Sequence, residues 1–268
     1  MQRILFDRSI FHGTNFQRLK ESGIADNVKA RKYKVFLTPM FVEETLMHAL
    51  NNVSEFKDHW NFIVSLIGQK WFKLAEEIVA IELGDKIKGQ NYYLQPKERT
   101  RRVIKNVKDL IEGRLPEDEL KKALSDIERN EEIRKQFRKT RLALREKVKP
   151  EEYDLDSYYE SNVEWYIENG LMAYHENSKN YLTTWSANRE KCVFTQQFVK
   201  AWFATVLLPL GDHQLKVDTN DRSDSEQLAF LTWADMMVSD DTRFMREAFN
   251  LLYPNSQKKF LTLDQFLS

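Results

Sequence analysis

Residues 230–244, FLTWADMMVSDDTRF, decide how the chain is read. An apolar run gives way at Asp235 to three further apolar residues, Met236 to Val238, which stop on Ser239, Asp240 and Asp241. A short, fully apolar run bounded by polar residues reads as a strand buried on both faces, the kind that parallel sheets need. The amino terminus repeats the pattern, because RILFD is apolar through Phe6 and ends on Asp7. KYKVFLTP, residues 32–39, gives another strand through Val35, Phe36 and Leu37, with Thr38 and Pro39 set to open the helix MFVEETLMHALNNV. Strand, helix, strand, helix at this spacing argues for a parallel sheet with crossover helices. At the carboxyl end, KKFLTLDQFLS gives a last short strand with Thr262 as N-cap of a terminal turn.

The texture changes between about residues 55 and 191. Trp60, Phe62, Ile63, Leu66 and Ile67, then Trp71, Leu74, Ala75 and Ile78, recur at helical spacing. LPEDELKKALSDIERN and EEIRKQFRKTRLALREKVKP read as two successive helices, the second stopped near Pro150. Later, FTQQFVKAWFATVLLPL is helical or mixed, and VDTNDRSDSEQLAFLTWA is a polar turn feeding a helix. The expectation is one discontinuous α/β domain, residues 1–54 and 192–268, interrupted by an all-helical insertion over residues 55–191.

Bulk composition narrows the classes. With 268 residues and 42% hydrophobic content the chain has ample material for a core. Its 41 basic residues balance 41 acidic ones, so nucleic-acid binding would need uneven distribution rather than global charge. Cys192 is the single cysteine, which excludes an internal disulfide and a thiolate metal cluster and suits a reducing compartment. The apolar start is too short for a secretory signal, and AWFATVLLPL falls short of the roughly 20 residues that span a bilayer. A cytoplasmic protein without membrane association is expected. No phosphate-loop glycine motif or Gly-x-Ser-x-Gly elbow is present, and the five histidines lack metal-ligand spacing, although His12 follows the first strand closely enough to touch a phosphate.

In an open parallel sheet, side chains at the carboxyl ends of the strands share one crevice. Asp7 and the pair Asp240 and Asp241 end strands, Glu43 and Glu44 lie in the first turns of the helix after another, and Asp221 and Asp224 precede the helix SEQLAFLTWA. Carboxylates gathered in a cleft repel one another and require cations, and hard oxygen ligands select Mg²⁺ or Mn²⁺. The chemistry that follows is metal-assisted phosphoryl hydrolysis. Each acid alone also reads as a helix cap.

Together, ILFDRSIF, LTPMFVEETL, DSEQLAFLTWADMMVSDD and FLTLDQFL resemble the PIN-domain ribonuclease family, over roughly residues 1–53 and 194–268. The resemblance implies a three-layer α/β/α fold with a central parallel sheet and a Mg²⁺- or Mn²⁺-dependent endonuclease cutting RNA with three or four acids. Carried over by position, these are Asp7, Glu44 with Glu43 as alternative, Asp224 with Asp221 or Glu226 as alternatives, and Asp241. Ser239 stands where the family often has threonine, which implies a hydroxyl that positions water or a phosphate oxygen. Asp240 is left as a cap or supporting residue.

Two basic stretches stand out against the neutral total, KERTRRVIKNVK and RKQFRKTRLALREKVK. One reading presents Arg101, Arg102, Lys105, Arg138, Arg141 and Arg145 to a phosphate backbone, with Tyr92, Tyr93 or Phe137 stacking on unpaired bases. The other makes them solvated helix faces paired with acids such as those of PEEYDLDSYYES. The functional expectation is therefore an RNA endonuclease, with DNA as the other candidate substrate. Its alternative is a non-catalytic PIN-like scaffold that binds RNA or a protein partner, or a second copy of itself, through the helical block.

Overall fold

Four short strands form one parallel sheet among the described residues: β1 (Gln2–Phe6), β2 (Tyr33–Phe36), β3 (Met236–Val238) and β4 (Lys259–Leu261), in the order β2-β1-β3-β4. The computed structural model describes residues 1–42, 44–45, 53–67, 71–84, 91–99, 103–147, 153–171 and 180–268. Ile4 lies opposite Val35 and Met236, and Leu5 opposite Phe36 and Met237. Because side chains alternate across a strand, this register sorts the apolar runs into two layers. Ile4, Phe6, Val35, Met236 and Val238 belong to one buried cluster, and Leu5, Phe36 and Met237 to the other.

Helices cover both faces. α1 (Gly13–Glu21) and α2 (Ile24–Lys29) cross over between β1 and β2, and Phe16, Leu19 and Ile24 join the first cluster. α3 (Val53–Ile67) adds Phe56, Trp60, Ile63 and Leu66 to the same layer. The opposite layer is built by α4 (Ala75–Leu83), α7 (Leu155–Trp165), α8 (Tyr181–Asn188), α9 (Val193–Gly211), α10 (Asp221–Ala229) and α11 (Phe244–Leu252). Between α4 and α7 lie α5 (Lys105–Ile111) and the long α6 (Glu117–Lys147), and α12 (Leu263–Leu267) follows β4. Thr262 caps α12 as expected, its Oγ1 accepting from the Gln265 amide while the Gln265 side chain accepts from the Thr262 amide.

The middle of the chain departs from expectation in two respects. It is not wholly helical: Trp71 bridges to Leu37 in parallel and Phe72 to Tyr93 in antiparallel sense, widening the sheet beyond β2. The Phe72 amide donates to the Leu37 carbonyl at 2.9 Å, and the Leu94 amide to the Trp71 carbonyl at 2.8 Å. Single bridged pairs are too short to leave a period of two, and Trp71 falls by chance in phase with the apolar stripe of α4. Secondly, the two helices expected between residues 115 and 150 are one, since α6 runs unbroken through Asn130. No glycine or proline interrupts it there, and neither an N-cap nor a C-cap substitute is needed.

The helices of residues 55–191 are also woven into the sheet layers. α3 starts at Val53 and so runs across the expected 54/55 boundary, while Tyr159 of α7 and Trp185 of α8 lie in the cluster that contains Leu5. Glu82, in the last turn of α4, accepts from the amides of Phe194 (3.1 Å) and Thr195 (2.7 Å) and from the Thr195 hydroxyl (2.7 Å). It thereby supplies the anion that the start of α9 needs. Burial raises the Glu82 pKa and these three donors oppose the rise. Cys192 is buried beside it, as a small hydrophobe should be, its thiol pushed up to about 11 by burial. No described helix is long and apolar enough to cross a membrane.

Candidate active site

The β1–β3 ladder ends where the Asp7 amide donates to the Val238 carbonyl at 2.9 Å, which sets Asp7 at the carboxyl edge of the sheet. Its Oδ2 accepts from the Ser9 amide (3.3 Å), the Ser9 hydroxyl (2.5 Å) and the Ser239 hydroxyl (2.8 Å). Each hydroxyl also accepts from the turn after β3: Asp240 N donates to Ser9 Oγ at 3.1 Å and Asp241 N to Ser239 Oγ at 3.0 Å. Two serines thus lock Asp7 and the 239–241 turn into one unit. Ser239 is fully buried, so its hydroxyl holds Asp7 rather than reaching a substrate, which corrects the role expected for it.

The two neighbouring aspartates part company. Asp240 is exposed, and its carboxylate accepts from the Leu263 amide at the start of α12 (3.0 Å) and from the Asn15 side chain (2.7 Å). Asp241 lines the cleft, with Oδ1 accepting from the Arg243 amide at 3.0 Å. Asp240 thus serves the start of a helix distant in sequence, and Asp241 faces the cleft.

Glu44 reaches the same cleft from the helical residues that follow β2, where Thr38 Oγ1 accepts from the Phe41 amide at 3.3 Å as an N-cap. Glu43 lies outside the described residues. From the first turn of α10 come Asp221 and Asp224. Asp221 Oδ2 is engaged twice, by Arg141 Nη1 at 2.7 Å and by the Asp218 amide at 2.9 Å, and both side chains of the ion pair are only 2% exposed. Asp221 also lines the cleft but is tied up in this buried pair, and Asp224 lines it one turn on. Glu226 is buried and does not line it.

Asp7, Glu44, Asp224 and Asp241 together line a cleft of about 440 Å³. Burial lifts the Asp224 pKa well above the usual carboxylate range, and the charges of Asp7, Glu44, Asp241 and Asp221 lift it further. This is an electrostatic debt of the kind a divalent cation cancels, and an all-oxygen donor set suits a hard one. Among the described residues no three His, Cys, Asp or Glu side chains are arranged so that they could hold a metal ion. The donors fit Mg²⁺ or Mn²⁺ in chemistry, then, and a ligand shell needs side-chain rotation to close.

The arginines expected to face nucleic acid do something else. Arg141 is buried, donating to the carbonyls of Thr205 (3.4 Å) and Asp218 besides Asp221. Arg138 Nε donates to the Val217 carbonyl and Arg145 Nη1 to the Leu215 carbonyl, each at 2.9 Å. These residues clamp α6 to the segment before α10, and Arg141 is out of reach of any ligand. Lys105 is exposed and does not line the cleft, and Arg101 and Arg102 lie outside the described residues. The aromatic rings considered for base stacking are also engaged: Tyr92 on Trp233, Tyr93 on Phe72, and Phe137 on Trp202.

Several lining residues had not been singled out. Ser9 carries a signal, an Asp-x-Ser turn whose hydroxyl and amide return to Asp7. Arg8, Arg134, Lys216 and Arg243 bring cations to an acidic cleft. His12, which the sequence placed within reach of a phosphate, lines it as well, with Nε2 3.1 Å from Arg8 Nη1.

Fold and site together define a mixed α/β protein with a carboxylate cleft at the carboxyl edge of a parallel sheet. The chain matches no family model, no curated protein and no solved structure.

Proposed function

We propose that the protein is a metal-dependent nuclease of PIN-like type that hydrolyses RNA phosphodiester bonds. The observation carrying this reading is that carboxylates from four separate segments line one cleft, where burial first and the neighbouring carboxylates second raise the pKa of Asp224. Asp7, Glu44, Asp224 and Asp241 would hold Mg²⁺ or Mn²⁺, which when bound neutralises phosphate charge and lowers the pKa of water. Asp7 is held in place by Ser9 and Ser239, so it meets its ligand without losing rotamer freedom. Asp224, whose pKa is raised by burial and then by its acidic neighbours, would be favoured in its ionised form by a cation held there. Arg134, Lys216 and Arg243 offset the repulsion between an acidic floor and a phosphate backbone. Products carry a 5′-phosphate and a 3′-hydroxyl.

Single-stranded RNA and DNA incubated with the protein in Mg²⁺ or Mn²⁺ test this, with EDTA as control. Cleavage is expected with metal only, and Asp7→Asn or Asp241→Asn should lower it by about 10³-fold or more, as losses of residues acting as a unit do. Cutting that survives both changes would sink the site assignment. A second reading, a nucleic-acid-binding scaffold without catalysis, is favoured by the lack of a ready ligand set among the described residues. It predicts binding that is indifferent to EDTA and no cleavage in any metal.

A further inference from the structure

Arg134, Arg138, Arg141 and Arg145 recur along α6 at spacings of four, three and four, so they fall on one face of the helix. Three of them are fastened to the segment before α10, through the carbonyls of Leu215, Val217 and Asp218 and through Asp221. The fourth lies one turn beyond the last fastened arginine and lines the cleft. On the facing segment Lys216 also lines the cleft, its ammonium 3.2 Å from Asp218. The buried Arg141–Asp221 pair holds α6 in fixed register with α10, the helix that carries Asp224. Two cations are thereby held at a set place beside the carboxylates, on a rigid frame.

We infer that Arg134 and Lys216 form a phosphate subsite that holds a neighbouring phosphate of a single-stranded nucleic acid while the bond to be cut lies at the carboxylates. The inference rests on the nuclease reading for the second half of that statement only. A cleft of about 440 Å³ has room for a phosphate and its sugar beside the carboxylates. Phosphate contacts of this kind fix position without reading sequence. The ligand chemistry is that of a phosphate group, a diester in a strand or a monoester in a free nucleotide, and the strand is favoured because a further cation, Arg243, stands exposed on the cleft lining.

The test is fluorescence-anisotropy binding of a short single-stranded oligoribonucleotide in Mg²⁺, across a salt series, in an Asp7→Asn background that prevents turnover. Arg134→Ala combined with Lys216→Ala should weaken binding about tenfold for unrelated sequences and flatten the salt slope by roughly 0.7, one single-strand phosphate contact. Lys135→Ala, which alters an exposed charge next to Arg134 on α6, should leave both unchanged. Equal melting temperatures of the variants separate lost contacts from lost structure, since neither Arg134 nor Lys216 belongs to the buried clamp. An unchanged affinity and slope would overturn the subsite even if the wild type cuts RNA. A lost affinity in a protein that never cuts RNA would leave the subsite standing and remove the proposed activity. Equal affinity for a nucleoside monophosphate and for the oligonucleotide would overturn the strand reading in favour of a free nucleotide.

Discussion

The two ends of the sheet treat acidic side chains in opposite ways. At the amino edge, Asp235 precedes β3 and accepts from Arg3 four times, from its amide at 2.8 Å and from its guanidinium at 2.6 to 3.3 Å. That partner holds the Asp235 carboxyl below the usual range. At the carboxyl edge Asp224 faces Asp7, Glu44 and Asp241, and its pKa is raised. The same residue type, on the same small sheet, is satisfied at one edge and frustrated at the other. Asp221, Asp240 and Glu82 likewise have cations or amides as partners, and at the cleft Asp7 and Asp241 accept amides too, so the repulsion falls on Asp224. Acids left to repel one another are retained against stability, which is where function is sought.

The comparison can be broken by experiment. The largest effect on stability is expected at the clamp between the two kinds of acid. Arg141→Met strands Asp221 as a buried lone charge and should lower unfolding free energy by about 3–5 kcal/mol in urea titration. Replacing both partners by apolar residues should recover much of that loss, because a buried pair is worth little net of its desolvation. Next comes Asp224→Asn. Asp224 binds its proton more tightly folded than unfolded, so the metal-free protein should lose stability as pH rises from 3.8 through the raised value. The variant should be more stable than wild type near neutral pH, lack that pH dependence, and gain less from added Mn²⁺ in thermal melts. If it is no more stable than wild type without metal, the frustration described at this edge is not real.

The smallest effect belongs to Asp235→Asn. Its pair with Arg3 is partly exposed, with side chains 46% and 37% accessible, so its removal should cost about 1 kcal/mol or less. The sign of the pH dependence is the reverse of that at Asp224. The contribution is complete above 3.8 and is lost as pH falls through the depressed value, which acid titration of the two proteins would reveal.

The strands were legible because they rest on local rules, whereas the choice of Asp7, Glu44, Asp224 and Asp241 among neighbouring acids followed a resemblance of ordered motifs. Apolar runs ending on Asp7 and at Val238 needed only the logic of a two-faced sheet, and Thr38 and Thr262 mark helix starts by their chemistry. Local rules left Asp240 and Asp241 equivalent as caps, and the structure parts them because the start of α12 lies beside Asp240. The bridged pairs at Trp71 and Phe72 were not legible, because one residue of extension has no period. Nor were the partners of Arg138, Arg141 and Arg145: backbone carbonyls some seventy to eighty positions away look the same in every sequence. The spacing of the arginine stripe was visible, but not whether that face looks inward or outward. Burial of a charged stripe is decided by the surface it meets, which lies elsewhere in the chain.

Glu82 has a consequence for how the chain can be divided. The helix that leads from the middle of the sequence back toward β3 begins on two amides and a hydroxyl that this one carboxylate receives, and the carboxylate itself comes from α4. A shortened protein that joined residue 54 directly to residue 192 would leave the buried start of α9 without its counter-charge. Compactness and modularity are thus at odds here: the long middle segment is not an accessory fastened to a small self-sufficient unit, and no minimal version made by excising it should fold.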